Sequence, residues 1–467
     1  MVDNARAARR FWQTPLSFSS WSAATQACLI VALLVMASGV ICVCRQAQGA
    51  ESNPTAQTVV PGSPLSFEDS VRIAINRSPR LMQSSLDIDI RRMDETDSRY
   101  GMVPPLTFRT YYYVNRPSGA GLSGAPYSLS FSTDPYNPMG AYFSLQAQKL
   151  ATQVAVLTHL KVISQGLYAL GNYYLQLDAL NKLAGYQKDL IKVARENLTY
   201  GENRMNIGTG TSLEVKVAQQ ELQLAQGEEE GIALSIKRIS VLLRNFLGLP
   251  ANQDITVNFR DSQRQVLGNF APATASLEQA KSRSYELKAL EIHKKLQGYN
   301  VSLAIAKVFP TILFNTQTPD PLSVTTAHGL YVGVGLEIPV WDGLKRVRNV
   351  SRQKAVLKQI GAQKDVKANF LEEKWYEYLV DIQEKQVALK NSQAREELAR
   401  LKTHQKEVRY HSGEVTLPVF LESRKEVLEA QKEAVRNGLQ YDMAVLKLRE
   451  LSGDLGNTYV DENSWQK

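Results

Sequence analysis

Histidine, cysteine and glycine-rich runs are where this chain's residue types could do chemistry, and their spacing supports none. The histidines (His159, His293, His328, His404 and His411) stand apart from one another and from cysteine. No H-E-x-x-H helix or other metal-ligand spacing arises, so they read as lone surface residues. Gly208-Thr209-Gly210-Thr211-Ser212 has the glycines of a phosphate loop but neither its lysine nor a preceding strand, and nucleotide binding is not expected. No Gly-x-Ser-x-Gly elbow occurs. The carboxylates of Glu228-Glu229-Glu230 fall in a helical run and read as solvated surface. The expectation is therefore a protein that is not an enzyme, with no catalytic residue, no cofactor and no metal.

Cysteine placement points to export. Cys28, Cys42 and Cys44 all lie in or beside the one long apolar run, Ala27 to Cys44, which follows Arg6, Arg9 and Arg10 and leads into Ala47-Gln48-Gly49-Ala50. This reads as a signal peptide over 1–50, with an uncleaved anchor as the alternative. Gly39-Val40-Ile41 places no small residue next to Cys42, which argues against lipidation. Without residues 1–50 the chain has no thiol, so the fold must rest on packing. With 467 residues, 44% hydrophobic content and a mean hydropathy of −0.25, a polytopic helical membrane protein is excluded. The formal charge of +8 comes from Lys and Arg interleaved with Glu along helical stretches, a solvated pattern rather than a nucleic-acid footprint.

The elements available to position anything are long helices. From about 151 to 248 and from 344 to 452 the chain is rich in Leu, Ala, Glu, Gln and Lys, with Pro418 the sole proline. Each stretch is broken once, at Gly208 and Gly413. Sliding residues 200–248 by 205 positions gives 12 identities in 49, among them Arg204/Arg409, Gly208/Gly413, Thr211/Thr416 and Gly248/Gly453; composition alone would give roughly three. This is an internal duplication. It predicts repeats at 65–248 and 276–456, a linker over 51–64, a connector over 249–275 and a tail over 457–467. Each repeat reads as a helix, two short strands, a very long helix, a turn at glycine and a returning helix. The first long helix reads as about twelve residues shorter than the second.

Alternation marks the strands. Leu330, Val332, Val334, Leu336 and Ile338 point one way, and Tyr331, Gly333, Gly335 and Glu337 the other. In the first repeat Phe143, Leu145 and Ala147 alternate with Ser144, Gln146 and Gln148, with Phe108 to Asn115 as their partner. Thr311 to Thr318 would partner the 330–338 strand. A sheet with one lipid face fits this pattern, as does a half-buried sheet in a soluble domain.

Four strands cannot close a membrane barrel, because the smallest need about eight and an open edge cannot face lipid. Three copies would supply twelve. A helix from 344 to 412 would be about 100 Å long, and it must pack side by side with others to bury a face. The fold class expected is thus mainly α with a small β part: duplicated helical hairpins forming an α-barrel, and four strands per chain joining a trimeric 12-stranded transmembrane β-barrel. A coiled-coil stalk is the alternative, though it does not account for strand pairs inserted at matching places.

Certain residues also carry a likeness. Arg409-Tyr410-His411-Ser412-Gly413 followed by Thr416, their counterparts Arg204, Gly208, Thr211, Glu214 and Val215, the Trp341-Asp342-Gly343 element after a strand, and the opening Leu65-Ser66-Phe67-Glu68-Asp69-Ser70 with Asn76-Arg77-Ser78-Pro79 together resemble the outer membrane efflux protein family, of which TolC is the type. Met205 stands where the family's turn has tyrosine, and Val419 where it has a second acidic residue. The resemblance implies a homotrimer in the outer membrane lipid with its helices in the periplasm. It implies passive exit for cargo delivered by an inner-membrane pump or ABC transporter through a membrane-fusion adaptor, in efflux or type I secretion. Arg204, Gly208, Thr211, Glu214, Arg409, Tyr410, Gly413 and Thr416 would be the adaptor-contacting tips. An adaptor or scaffold held by an uncleaved inner-membrane anchor is the competing class.

Overall fold

The computed structural model describes residues 65–112, 127–250, 257–258, 262–317, 331–338 and 340–459. The expected signal peptide and linker, His328, Leu330, Thr318, Tyr113 to Asn115, parts of the connector and most of the tail lie outside these residues.

The first repeat runs α1 (Phe67–Arg77), α2 (Pro79–Tyr100), β1 (Leu106–Tyr112), β2 (Tyr127–Thr133), α3 (Pro138–Asn206) and α4 (Ser212–Phe246). After α5 (Ser262–Leu267) and a 3-10 turn at Pro272–Thr274, the second runs α6 (Leu277–Arg283), α7 (Tyr285–Ala306), β3 (Thr311–Gln317), β4 (Tyr331–Glu337), α8 (Lys345–His411) and α9 (Leu417–Leu451), then α10 (Asp454–Tyr459). From α2 onward, corresponding elements start between 204 and 207 residues apart. The duplication thus extends through the strands almost without gaps.

Two expectations fail together. Residues 143–148 are not a strand but part of α3, and the first long helix is not short: α3 has 69 residues against 67 in α8. Asn137 caps α3, its Oδ1 accepting from Gly140 N at 2.9 Å, and Pro138 starts the first turn where its missing N–H costs nothing. The helix is therefore under way before Phe143. Phe143 and Ala147, four apart, share one helical face while Leu145 falls on another and is buried, because α3 packs against several helices. The second strand of the repeat is Tyr127–Thr133, in which Leu129 and Phe131 alternate with Ser128, Ser130 and Ser132.

The four strands form one antiparallel sheet in the order β1-β2-β3-β4. Phe108 pairs with Phe131, Phe131 with Thr316, and Thr316 with Val332, so one row crosses all four strands.

The core sits where the short helices cross the long ones. Tyr174 is fully buried, edge-on to Phe67 at 5.4 Å, with its hydroxyl 2.5 Å from Ser70 Oγ. A Cβ at Gly171 would lie 2.9 Å from Val266 and 3.0 Å from Leu446, so glycine there lets α3, α5 and α9 close up. A second cluster packs Leu371, Trp375 and Ile382 of α8 against Ala280, Leu287, Ala444, Val445 and Leu448. Away from these clusters the long helices keep apolar residues exposed, including Val380, Val387, Leu401 and Val408 at heptad-compatible intervals on α8.

Candidate functional site

The sheet presents its apolar face outward. On β4 Val332, Val334 and Leu336 are exposed, Val334 by 76%, and Ile338 just beyond the strand is exposed as well. The register places Ile312, Phe314, Phe108 and Phe131 on the same face, where Phe108 and Phe131 rings lie 4.9 Å apart. The opposite face carries Arg109, Ser130, Ser132, Asn315, Gly333, Gly335 and Glu337, with Tyr111 and Leu313 among them. A soluble sheet covers its apolar face; within this chain that face is left exposed. β1 and β4 are its edges, each with one row of backbone donors and acceptors that no strand of the sheet takes up.

Junctions tie the sheet to the helices. Asn137 spends its carbonyl on the α3 cap and donates from Nδ2 to Ala306 O at 2.7 Å, joining the start of α3 to the end of α7. In the second repeat Asp342 Oδ2 accepts from Arg346 N at 3.1 Å and lies 3.5 Å from Arg346 Nε. Gly343 and Leu344 follow with φ of 64° and 62°, so the turn needs a glycine and holds one strained non-glycine residue beside it. Trp341 is 80% exposed. The Trp341-Asp342-Gly343 element is thus a helix-starting turn with an aromatic ring left on the surface.

The opposite ends of the long helices close in two tight turns. Gly208 and Gly413 have φ of 75° and 78°, the positive values their positions required. At the first turn Arg204 O accepts from both Thr209 N and Gly210 N at 2.9 Å, and the Arg204 guanidinium donates to Thr209 O at 2.7 Å and lies 3.7 Å from Glu214. Thr211 and Glu214 form a reciprocal capping box. The second turn is built differently: Thr416 occupies the cap position without a side-chain hydrogen bond, and Pro418 lies in the first turn, so a threonine side chain caps the returning helix in one repeat only. In its place Tyr410 stacks on Phe420, centroids 5.4 Å apart and planes 7° from parallel, a contact sequence reasoning missed. Arg409 Nε and Glu414 stand 4.0 Å apart.

Further along, polar contacts join the repeats. Arg424 of α9 pairs with Glu196 of α3 at 2.9 Å. Lys432 of α9, 2% exposed, donates to Gln187 at 2.9 Å, Glu228 at 3.1 Å and Glu429 at 3.2 Å. Glu228 is exposed as expected, yet it also serves this buried cation.

No protein-family model matches the sequence, and no curated protein matches it. Solved structures do. CusC, described for its folding and transmembrane channel formation, superposes with a TM-score of 0.69 at 14% identity over 83% of this chain and 92% of CusC. The CmeC outer membrane channel of Campylobacter jejuni gives 0.69 at 14% over 85% and 88%, and the outer membrane protein VceC of Vibrio cholerae 0.67 at 14% over 83% and 96%. At such identities the likeness is one of fold, and it spans nearly all of each neighbour.

Proposed function

We propose that this chain is one subunit of a homotrimeric outer-membrane channel that gives passive exit to substrates delivered from the inner membrane. One observation carries the reading: a four-stranded sheet with an outward apolar face and two open edges is joined to helices of 69 and 67 residues, each about 100 Å long at 1.5 Å per residue. Lipid would cover that face, and strands from neighbouring copies would satisfy the edges, three copies making a closed barrel of twelve. Val332, Val334, Leu336 and Ile338 would face hydrocarbon, and exposed Trp341 would sit at the headgroup level.

The long helices would then stand in the periplasm with the Gly208 and Gly413 turns at their far ends. There Arg204, Thr211, Glu214, Arg409, Tyr410 and Thr416 would meet a membrane-fusion adaptor, itself coupled to a pump or ABC transporter that supplies the energy. The channel would open by relaxation of the tip helices. The pair of Arg424 and Glu196, half-exposed on both sides, suits such movement, because surface pairs are worth about 0–1 kcal/mol. An anchored adaptor is not favoured: it would use one hairpin, whereas two duplicated hairpins flank a sheet here.

Native mass spectrometry of the detergent-extracted outer-membrane fraction tests this. The expected result is a trimer of chains lacking the signal peptide. A monomer in the inner membrane with residues 1–50 intact would overturn it.

A further inference from the structure

A cavity of about 630 Å³ opens between α1, α5, α6 and the end of α9. It lies about 50 Å along α9 from the Gly413 turn, counting 1.5 Å for each of the helix's 35 residues. Its size is that of small-molecule sites, and guanidinium groups dominate its charge.

Arg449 is buried at 4% exposure, its Nε donating to Asp454 Oδ2 at 2.9 Å and its Nη1 to Val266 O at 2.8 Å. Gly268, at φ +57°, makes room for it: a Cβ there would lie 3.3 Å from Nη1. Arg264 of α5 and Arg283 at the end of α6 also line the cavity, and neither forms an ion pair among the described residues. Glu68 and Asp454 are the acidic residues of the lining. Asp454 is already engaged by Arg449, which leaves two guanidiniums against Glu68. Arg264 and Arg283 each lie in the last turn of a short helix, where a cation is favoured, and both helix ends turn toward the one cavity.

We propose that this cavity binds a small oxyanion-bearing molecule, a carboxylate or a phosphate, held between Arg264 and Arg283 with Arg449 fixed behind them. The planar guanidinium fork matches both anions and binds them through paired charge-assisted hydrogen bonds. Gln279 brings an amide to the same lining, and Phe270 an aromatic ring, partners for the neutral part of such a ligand. The site lies outside the sheet and the tips, and its occupancy does not rest on the channel reading.

Calorimetric titration of the purified full chain in detergent at low salt, with inorganic phosphate and separately with citrate, tests the site. Saturable binding of at least one anion is expected, weakening as sodium chloride is added. Binding of phosphate alone identifies a phosphate ligand, and binding of citrate alone a carboxylate. Combined Arg264→Gln and Arg283→Gln should weaken binding about tenfold or more with an unchanged melting temperature. Glu68→Gln, which removes the opposing charge from an exposed position, should tighten it several-fold. Absence of heat with both anions, or affinity unmoved by the arginine substitutions, would overturn the proposal.

Discussion

Asp442 of α9 accepts a 2.8 Å hydrogen bond from Gln263 Nε2. Burial raises its carboxyl from an ordinary 3.8 to about 6, against the opposing pull of the Gln263 bond and of Lys182. Since the folded value exceeds the unfolded one, the folded state binds the extra proton. The stability this confers is present below about pH 4 and is lost as pH rises toward 6. Asp442→Asn keeps an acceptor for Gln263 and removes the charge, so it should stabilise the fold by roughly 3 kcal/mol at pH 8 and far less at pH 4. Thermal melts at the two pH values check this; equal gains at both would reject burial of the charge as the cause. Lys432 sets a contrasting case. Lys432→Ala leaves buried Gln187 and the carboxylate of Glu228 without their cation and should lower stability by a few kcal/mol, read as a fall in melting temperature. Neither residue was legible in the sequence. Among 54 Lys and Arg and 46 Asp and Glu, the buried few are chosen by which helices cross, and one helix's pattern does not contain that information.

Turns and repeats were the most legible elements. A reversal between two helices needs positive φ, only glycine adopts it cheaply, and both glycines survive at the shared offset of 205. The caps diverged because a capping box and an aromatic stack both close a turn. This difference predicts unequal costs. Thr211→Ala should destabilise its tip by about 1 kcal/mol, whereas Thr416→Ala should be nearly neutral, and amide hydrogen exchange in the first turns of α4 and α9 would show the asymmetry. Gly413→Val forces a β-branched residue to φ 78° at about 1–2 kcal/mol. Loss of adaptor co-purification with the trimer intact is the expected outcome; unchanged co-purification and export would remove Gly413 from the docking surface. The second strand of the first repeat was misread because α3 packs against several helices, so its apolar positions follow no single stripe and here fall into an alternation that imitates a pleat. Asn137-Pro138, a cap followed by a first-turn proline, was the signal that would have placed the helix start. Applying the 205-residue offset to β4 would have pointed to Tyr127–Thr133 instead.

At the scale of the whole molecule, a single chain leaves two physical debts of the sheet unsettled: an apolar face open on one side and edges whose backbone groups lack a strand. The first can be tested one residue at a time. Val334→Arg, at the middle of β4, should cost about 2–4 kcal/mol of insertion into lipid, while Gly333→Ser on the polar face should cost little. Recovery of each variant in the outer-membrane fraction would compare them, and equal recovery would show that the face does not meet hydrocarbon. The second requires a neighbour, and closure by rotation predicts which edge it offers, because a ring of identical sheets must set β1 of one copy beside β4 of the next. A cysteine pair such as Arg109→Cys with Gly333→Cys, or Arg109→Cys with Gly335→Cys, puts both thiols on the polar face of those two edges. The three natural cysteines all lie within the first 44 residues, so removal of the signal peptide leaves the introduced thiols alone. Adjacent strands bring paired positions within disulfide reach. Mild oxidation should therefore yield linked dimers and trimers for the pair that sits in register, with neither single variant reaching a trimer. Monomers throughout the series would mean that the edges are satisfied in some other way, and a closed barrel of three chains would have to be given up.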